Sequence, residues 1–132
     1  MLDDLGLVAV VQSYLRQFQE RTGIVTRFAS SVGDLQLTPP QSTALFRIFQ
    51  EALTNILRHA QATKINVSIR EDDGRFILIV SDNGRGFWPA RTDGMGDGLS
   101  NMKQRLQRIG GHLALESEPG KGTCIRMQAN GS

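Results

Sequence analysis

At 132 residues, with 39% hydrophobic and 21% charged side chains, the chain has the size and balance of one ordinary globular domain with its own core. No apolar run reaches the roughly 20 residues of a membrane span, and the acidic start MLDDLG is unlike a secretory signal. A formal charge of +2, scattered rather than clustered, gives no nucleic-acid footprint, and the single Cys124 excludes an internal disulfide and a cysteine zinc site.

The first stretch, Leu5 to Arg21, spaces Leu7, Val8, Val11, Leu15 and Phe18 along one helical face, with Asp3 or Asp4 as cap and Gly23 as stop. Ile24 to Ala29 is β-branched and short, a strand, and Ser30 to Leu37 reads as a loop. Thr38-Pro39-Pro40 is a helix entry, with threonine as cap and proline in the first turn. The second helix, about Gln41 to Gln61, turns Leu45, Phe49, Ala52, Leu53, Ile56 and Ala60 to a core. A second stripe carries Arg47, Glu51, Asn55, Arg58 and Ala62.

Beyond it the period falls to two. Lys64 to Arg70 alternates Ile65, Val67 and Ile69 inward, EDDGR turns, and Phe76 to Ser81 returns as an apolar strand. Asp82 to Gly96 is glycine-rich loop. Leu99 to Ile109 is helical through Leu99, Met102, Leu106 and Ile109, ending at Gly110-Gly111. Strands His112 to Ser117 and Gly122 to Gln128, joined by EPGKG, close the chain, and Cys124 in the last of them reads as a buried structural thiol. The sum is α+β: a two-layer sandwich of about three helices on a mixed sheet of about five strands.

Four segments carry chemistry. Glu51 and Asn55, four apart, project from one helix face. Asn55 offers a neutral amide oxygen suited to Mg²⁺, Glu51 a carboxylate able to orient a nucleophile or take a proton, and Arg58 a phosphate contact. In SDNGRGF, Asp82 emerges at a strand end beside Gly84 and Gly86, where a carboxylate can accept a hydrogen bond from an exocyclic amine. In DGMGDGLSNMKQRL, glycines run into a helix whose free N–H groups form an anion site. That loop is neither a Walker A loop nor a dinucleotide fingerprint. Thr123, in GKGTC, stands where its hydroxyl would join Asp82.

Together, FQEALTNILRHA, SDNGRGF, GMGDGLSNMKQRL and GKGTCIRM resemble the N box, glycine boxes and terminal Gly-Thr of the sensor histidine-kinase catalytic domain. That domain belongs to the ATPase superfamily shared with DNA gyrase and mismatch-repair ATPases. QEALTNILRHA and GLSNMKQRL are similar to its nitrate-sensor-type subfamily, and LDDLGL resembles the segment after that subfamily's dimerisation helices. The resemblance implies the Bergerat ATP-binding fold, with residues 1–23 a leader and 24–132 the catalytic domain. It implies ATP and Mg²⁺ as cofactors. Asn55 would hold Mg²⁺, Glu51 would be the catalytic acidic residue, Arg58 would meet phosphate and His59 would lie near the nucleotide. Asp82 would bind the adenine amine above Gly84 and Gly86, with Thr123 supporting it. Gly96, Gly98 and Leu99 would line the phosphate end, and Phe87 to Gly96 would form a short lid, with Trp88 either packing the lid or serving as simple hydrophobic cover.

The sequence departs from the kinase pattern in lacking a phosphoacceptor box. His59 lies in the nucleotide helix and His112 at a strand start, so neither suits in-line transfer. The resemblance therefore places the acceptor histidine on dimerisation helices outside this chain. It implies a homodimeric full-length protein, a monomeric fragment and no nucleic-acid contact of its own. The implied partner is a response regulator with a helix-turn-helix output domain. The implied location is cytoplasmic, with any membrane attachment through the missing region. Two other readings fit the motifs: an anti-sigma-factor-type serine kinase and a non-catalytic nucleotide-sensing module.

Overall fold

The computed structural model describes residues 4–31, 37–85 and 96–130, with the backbone alone at 4–5, 59–60 and 96–100. Helix α1 (Asp4–Thr22) buries Leu7, Val11, Leu15 and Phe18. It stops at Gly23, whose φ of 77° is the left-handed turn that glycine adopts without strain. Strand β1 (Val25–Ser31) runs two residues further than its apolar pattern, because Ser30 and Ser31 pair with the neighbouring strand opposite Ile69 and Arg70.

Thr38 caps α2 (Pro39–Asn55) as its composition predicts. Its hydroxyl accepts the Gln41 N–H at 3.3 Å, and the Gln41 side chain accepts the Thr38 N–H at 2.9 Å, a reciprocal capping box. Leu45, Ile48, Phe49, Ala52 and Leu53 are fully buried along this helix. The helix does not stay α-helical to Gln61. Ile56–Ala60 forms a π-helical turn, and Gln61 ends it in the left-handed region, at φ 52°. The extra residue in that turn shifts the phase, so Ala62 does not continue the Glu51 stripe: it lies past the helix end and is buried.

Strands β2 (Lys64–Asp72) and β3 (Arg75–Asp82) form the expected hairpin. Asp73 and Gly74, both at positive φ (53° and 75°), make the tight two-residue turn whose twist matches the flanking strands. Helix α3 (Gly96–Arg108) starts three residues before Leu99, then β4 (Gly111–Ser117) and β5 (Thr123–Asn130) finish the chain. The five strands lie in the order β1-β2-β3-β5-β4. Only β1 and β2 are parallel, and α2 lies between them in sequence, giving one βαβ crossover inside an otherwise antiparallel sheet.

Alternation sorts the sheet into two faces. Ile65, Val67 and Ile69 on β2, Phe76, Leu78 and Val80 on β3, and Ile125, Met127 and Ala129 on β5 join the core with residues of all three helices. Arg70, Ser81, Cys124 and Arg126 occupy the opposite face. Cys124 is thus half-buried rather than enclosed, because its place in the alternation turns it away from the helices; burial still pushes its thiol pKa up, with Glu116 adding to the effect. Gln41 locks the layers together at one end, its amide donating to the Asn130 carbonyl at 2.8 Å.

Candidate functional site

The last residue of β3 is the one buried acidic side chain among the described residues. Asp82 is only 8% exposed, and a carboxylate taken out of water must find donors or resist ionisation. Its Oδ1 accepts the Gly84 N–H at 2.7 Å. Its Oδ2 is buried without a hydrogen-bond partner among the described residues. Burial therefore raises its pKa above the ordinary carboxylate range; the backbone N–H groups of Gly84 and Thr123 oppose that shift without overcoming it.

The neighbours of Asp82 explain how it is held. Asn83 accepts N–H bonds from Thr63 and Lys64 at 3.0 Å each and donates to the Thr63 hydroxyl at 2.9 Å. The start of the second motif is thereby pinned to the segment that leaves the π-helical turn. Gly122 approaches from the other side at φ 80°, where an added Cβ would overlap the Asp82 carbonyl oxygen. Thr123 pairs with Asp82 across the β3–β5 ladder, but its hydroxyl does not reach the carboxylate; it lies 2.9 Å from the Ser117 hydroxyl. Its link to Asp82 runs through the backbone. Asp82, Ser117, Gly122 and Thr123 line a cleft of about 680 Å³.

A second cleft, of about 460 Å³, opens over α2. Glu51, Asn55 and Arg58 line it together, as their helical spacing requires, joined by Arg47 one turn back and by Asn101 and Arg105 from α3. The Glu51 carboxylate accepts a hydrogen bond from Arg105 Nη1 at 3.0 Å. Gly96 and Gly98 lie in the first turn of α3, where backbone N–H groups have no intrahelical acceptor. His59 and Leu99 are placed by their backbones in the π-helical turn and in α3. Gly86 and the lid expected over 87–96, with Trp88, lie outside the described residues except for Gly96, the first residue of α3.

The structure thus gathers Glu51, Asn55 and Arg58 in one cleft and Asp82 and Thr123 in another, with Gly84 bonded to the Asp82 carboxylate. A family model for the histidine kinase-, DNA gyrase B- and HSP90-like ATPases matches residues 41–130, from the first turn of α2 to the end of β5. The chain belongs to this ATPase family. Among its curated relatives, the signal transduction histidine-protein kinase/phosphatase DegS of Brevibacillus brevis is 38% identical over 94% of this chain and 32% of its own length. The sensor histidine kinase MctS of Rhizobium johnstonii is 41% identical over 96% of this chain and 28% of its own. The chain spans about a third of these relatives. Full-length ShkA, solved in complex with AMPPNP, superposes with a TM-score of 0.76 at 22% identity, covering 96% of this chain and 30% of that one.

An ATPase of this family must hold a purine and a triphosphate, and the donor set fits both. Asp82 Oδ2 supplies a buried acceptor with no partner among the described residues, and the lack of a side chain at Gly122 lets the start of β5 approach the Asp82 carbonyl. The second cleft sets three arginines against one carboxylate, a balance that favours an anion. Among the described residues no three His, Cys, Asp or Glu side chains cluster into a metal cage. Asn55, in the arginine-lined cleft, carries a neutral amide oxygen of the kind that Mg²⁺ bound to phosphates and water can take as a ligand. Gly122, Asn83 and Arg105 carry no role in the motif reading. Gly122 had a signal, the left-handed turn in EPGKG; Arg105 had none, because its partner lies 54 residues away.

Proposed function

We propose that this chain is the nucleotide-binding half of a sensor histidine kinase, presenting Mg-ATP to a histidine outside it. The observation that carries the reading is Asp82: a buried carboxylate with one oxygen satisfied and one without a partner among the described residues. An exocyclic amine donor is the group that such an oxygen lacks, and adenine has one where guanine has an acceptor. The complex of ShkA with AMPPNP supports the same ligand class.

In this reading Asp82 takes the adenine amine, with Gly84 and Gly86 under the ring and Thr123 bracing the strand end. Asn55 holds Mg²⁺ through its amide oxygen, and the bound ion supplies neutralisation of charge on the phosphates. Arg58 and the N–H groups of Gly96, Gly98 and Leu99 meet phosphate oxygens; His59 flanks the nucleotide. An imidazole nitrogen of the acceptor attacks the γ-phosphorus, and the bond to the β–γ bridging oxygen breaks with its electrons leaving on ADP. Glu51 orients the imidazole and accepts the proton it loses. Positioning and charge neutralisation are most of what phosphoryl transfer asks of a protein.

The same reading gives the surroundings. Residues 1–23 lead in from dimerisation helices that carry the acceptor, while α1 also packs into the domain core. The full-length protein is a homodimer that hands its phosphoryl group to a response regulator with a helix-turn-helix output domain. The domain works in the cytoplasm; among the described residues no helix is long and apolar enough to cross a membrane. The test is to incubate a longer chain, carrying the helices ahead of this domain, with γ-labelled ATP. Acid-labile, base-stable label on a histidine is expected. Label on a supplied serine substrate, or tight ATP binding with no phosphohistidine, would contradict the kinase assignment.

A further inference from the structure

Arg105 has no part in the mechanism above, yet it makes the one ion pair in the Glu51 cleft among the described residues. Its Nη1 lies 3.0 Å from Glu51 Oε1 and bridges two helices, α3 and α2. A partner nearer in sequence lines the same cleft. Arg47 stands one turn before Glu51 on the same helix, but the pair forms across the helices instead.

Stability does not explain the choice. The Arg105 and Glu51 side chains are 40% and 37% exposed, and ion pairs that face water contribute little to folding. What the contact does fix is geometry. Glu51 is a flexible three-torsion side chain on the helix face that also carries Asn55, and one charge-assisted hydrogen bond selects one rotamer. With Oε1 committed to Arg105, Oε2 is the oxygen left to meet a proton. α3 also begins with the glycines at the phosphate end, so one short helix touches both the phosphate-facing N–H groups and the carboxylate.

We propose that Arg105 is a positioning residue: it aims Glu51 at the reacting group and makes that aim depend on the seating of α3. The inference rests on the assignment of Glu51 given above. It concerns rate rather than affinity, since Arg105 acts on a side chain that binds the acceptor's proton and not the nucleotide.

The test is single-turnover histidine phosphorylation in the longer chain carrying the acceptor helices, together with ATP affinity by calorimetry. Misplacing a catalytic group by about an ångström costs about 100-fold in rate, so Arg105→Gln is expected to slow transfer by about 10- to 100-fold. Its ATP dissociation constant should stay within about 3-fold of wild type and its melting temperature within about 3 °C. Arg105→Lys, able to make the same single N–O contact, should recover most of the rate. The Glu51→Gln/Arg105→Gln double variant should be no slower than Glu51→Gln alone, because both act through one carboxylate. Additive losses in that double variant, or an ATP affinity that falls as far as the rate, would place Arg105 on the phosphates and overturn the proposal. Glu51→Gln slow with Arg105→Gln unimpaired would overturn it while sparing Glu51; Glu51→Gln at the wild-type rate would sink both.

Discussion

Replacing Asp82 with asparagine should separate the stability of the domain from its use of ATP. In the folded chain burial holds the Asp82 pKa above its ordinary value, more than the Gly84 and Thr123 N–H groups lower it. A raised folded pKa means that the stabilising, protonated form is fully present below the unfolded pKa. Its contribution is lost as pH rises through the folded value. Once ionised, the side chain is therefore a net burden on the fold. Asparagine removes the charge and keeps an Oδ1 acceptor for Gly84, whose N–H now lies 2.7 Å away. The variant should match or exceed wild type in urea denaturation at neutral pH, with the gap closing as pH falls into the carboxylate range.

Nucleotide binding should move the opposite way. A hydrogen bond to a charged group contributes about 1.5–3 kcal/mol, or roughly 10- to 150-fold in dissociation constant. Because the amide would present N–H groups where Oδ2 now stands, two donors would face each other at the adenine amine, and the loss should fall at the upper end. GTP, with an acceptor at that ring position, should lose less, so the preference for ATP narrows. Calorimetry with both nucleotides, beside the denaturation series, reads each half. A variant destabilised by more than about 1 kcal/mol at neutral pH, the net worth of an ordinary hydrogen bond, or one that binds ATP as tightly as wild type, would refute the reasoning.

Other consequences follow from the same contacts. Gly122→Ala must displace the Asp82 backbone, with φ already at 80°, so it should lose about 1–3 kcal/mol of stability together with ATP affinity; full retention of both would show that the approach is not needed. Thr38→Ala removes the capping hydroxyl of α2 and should cost about 1 kcal/mol in urea denaturation with little change in ATP affinity. Leu45→Ala, at a side chain with no exposure, should cost about 2–5 kcal/mol in the same assay.

Legibility in the sequence tracked locality. Thr38-Pro39-Pro40 announces its helix because capping is settled within four residues, and Ile65, Val67 and Ile69 announce their strand because alternation reports burial directly. The place of Asp82 at a strand end, with Gly84 two residues on, was readable for the same reason. The parallel pairing of β1 with β2 was not: it depends on where α2 returns the chain, so Ser30 and Ser31 looked like loop. The π-helical turn escaped a uniform 100° period, which is why Ala62 was placed on the wrong surface. Thr123 was legible as a neighbour of Asp82 but not in its detail. Its hydroxyl meets Ser117, on a strand set beside it by the EPGKG turn. Arg105 and Glu51 meet only after both helices have packed on the sheet, and no local pattern records that.

The most direct test of the central claim is calorimetric titration of this chain with ATP, with and without Mg²⁺, in wild type and Asn55→Ala. The account predicts saturable one-to-one binding that Mg²⁺ strengthens in the wild type, and loss of that Mg²⁺ dependence in the variant. Binding that Mg²⁺ leaves unchanged, or an Asn55→Ala protein that responds to Mg²⁺ as the wild type does, would contradict it.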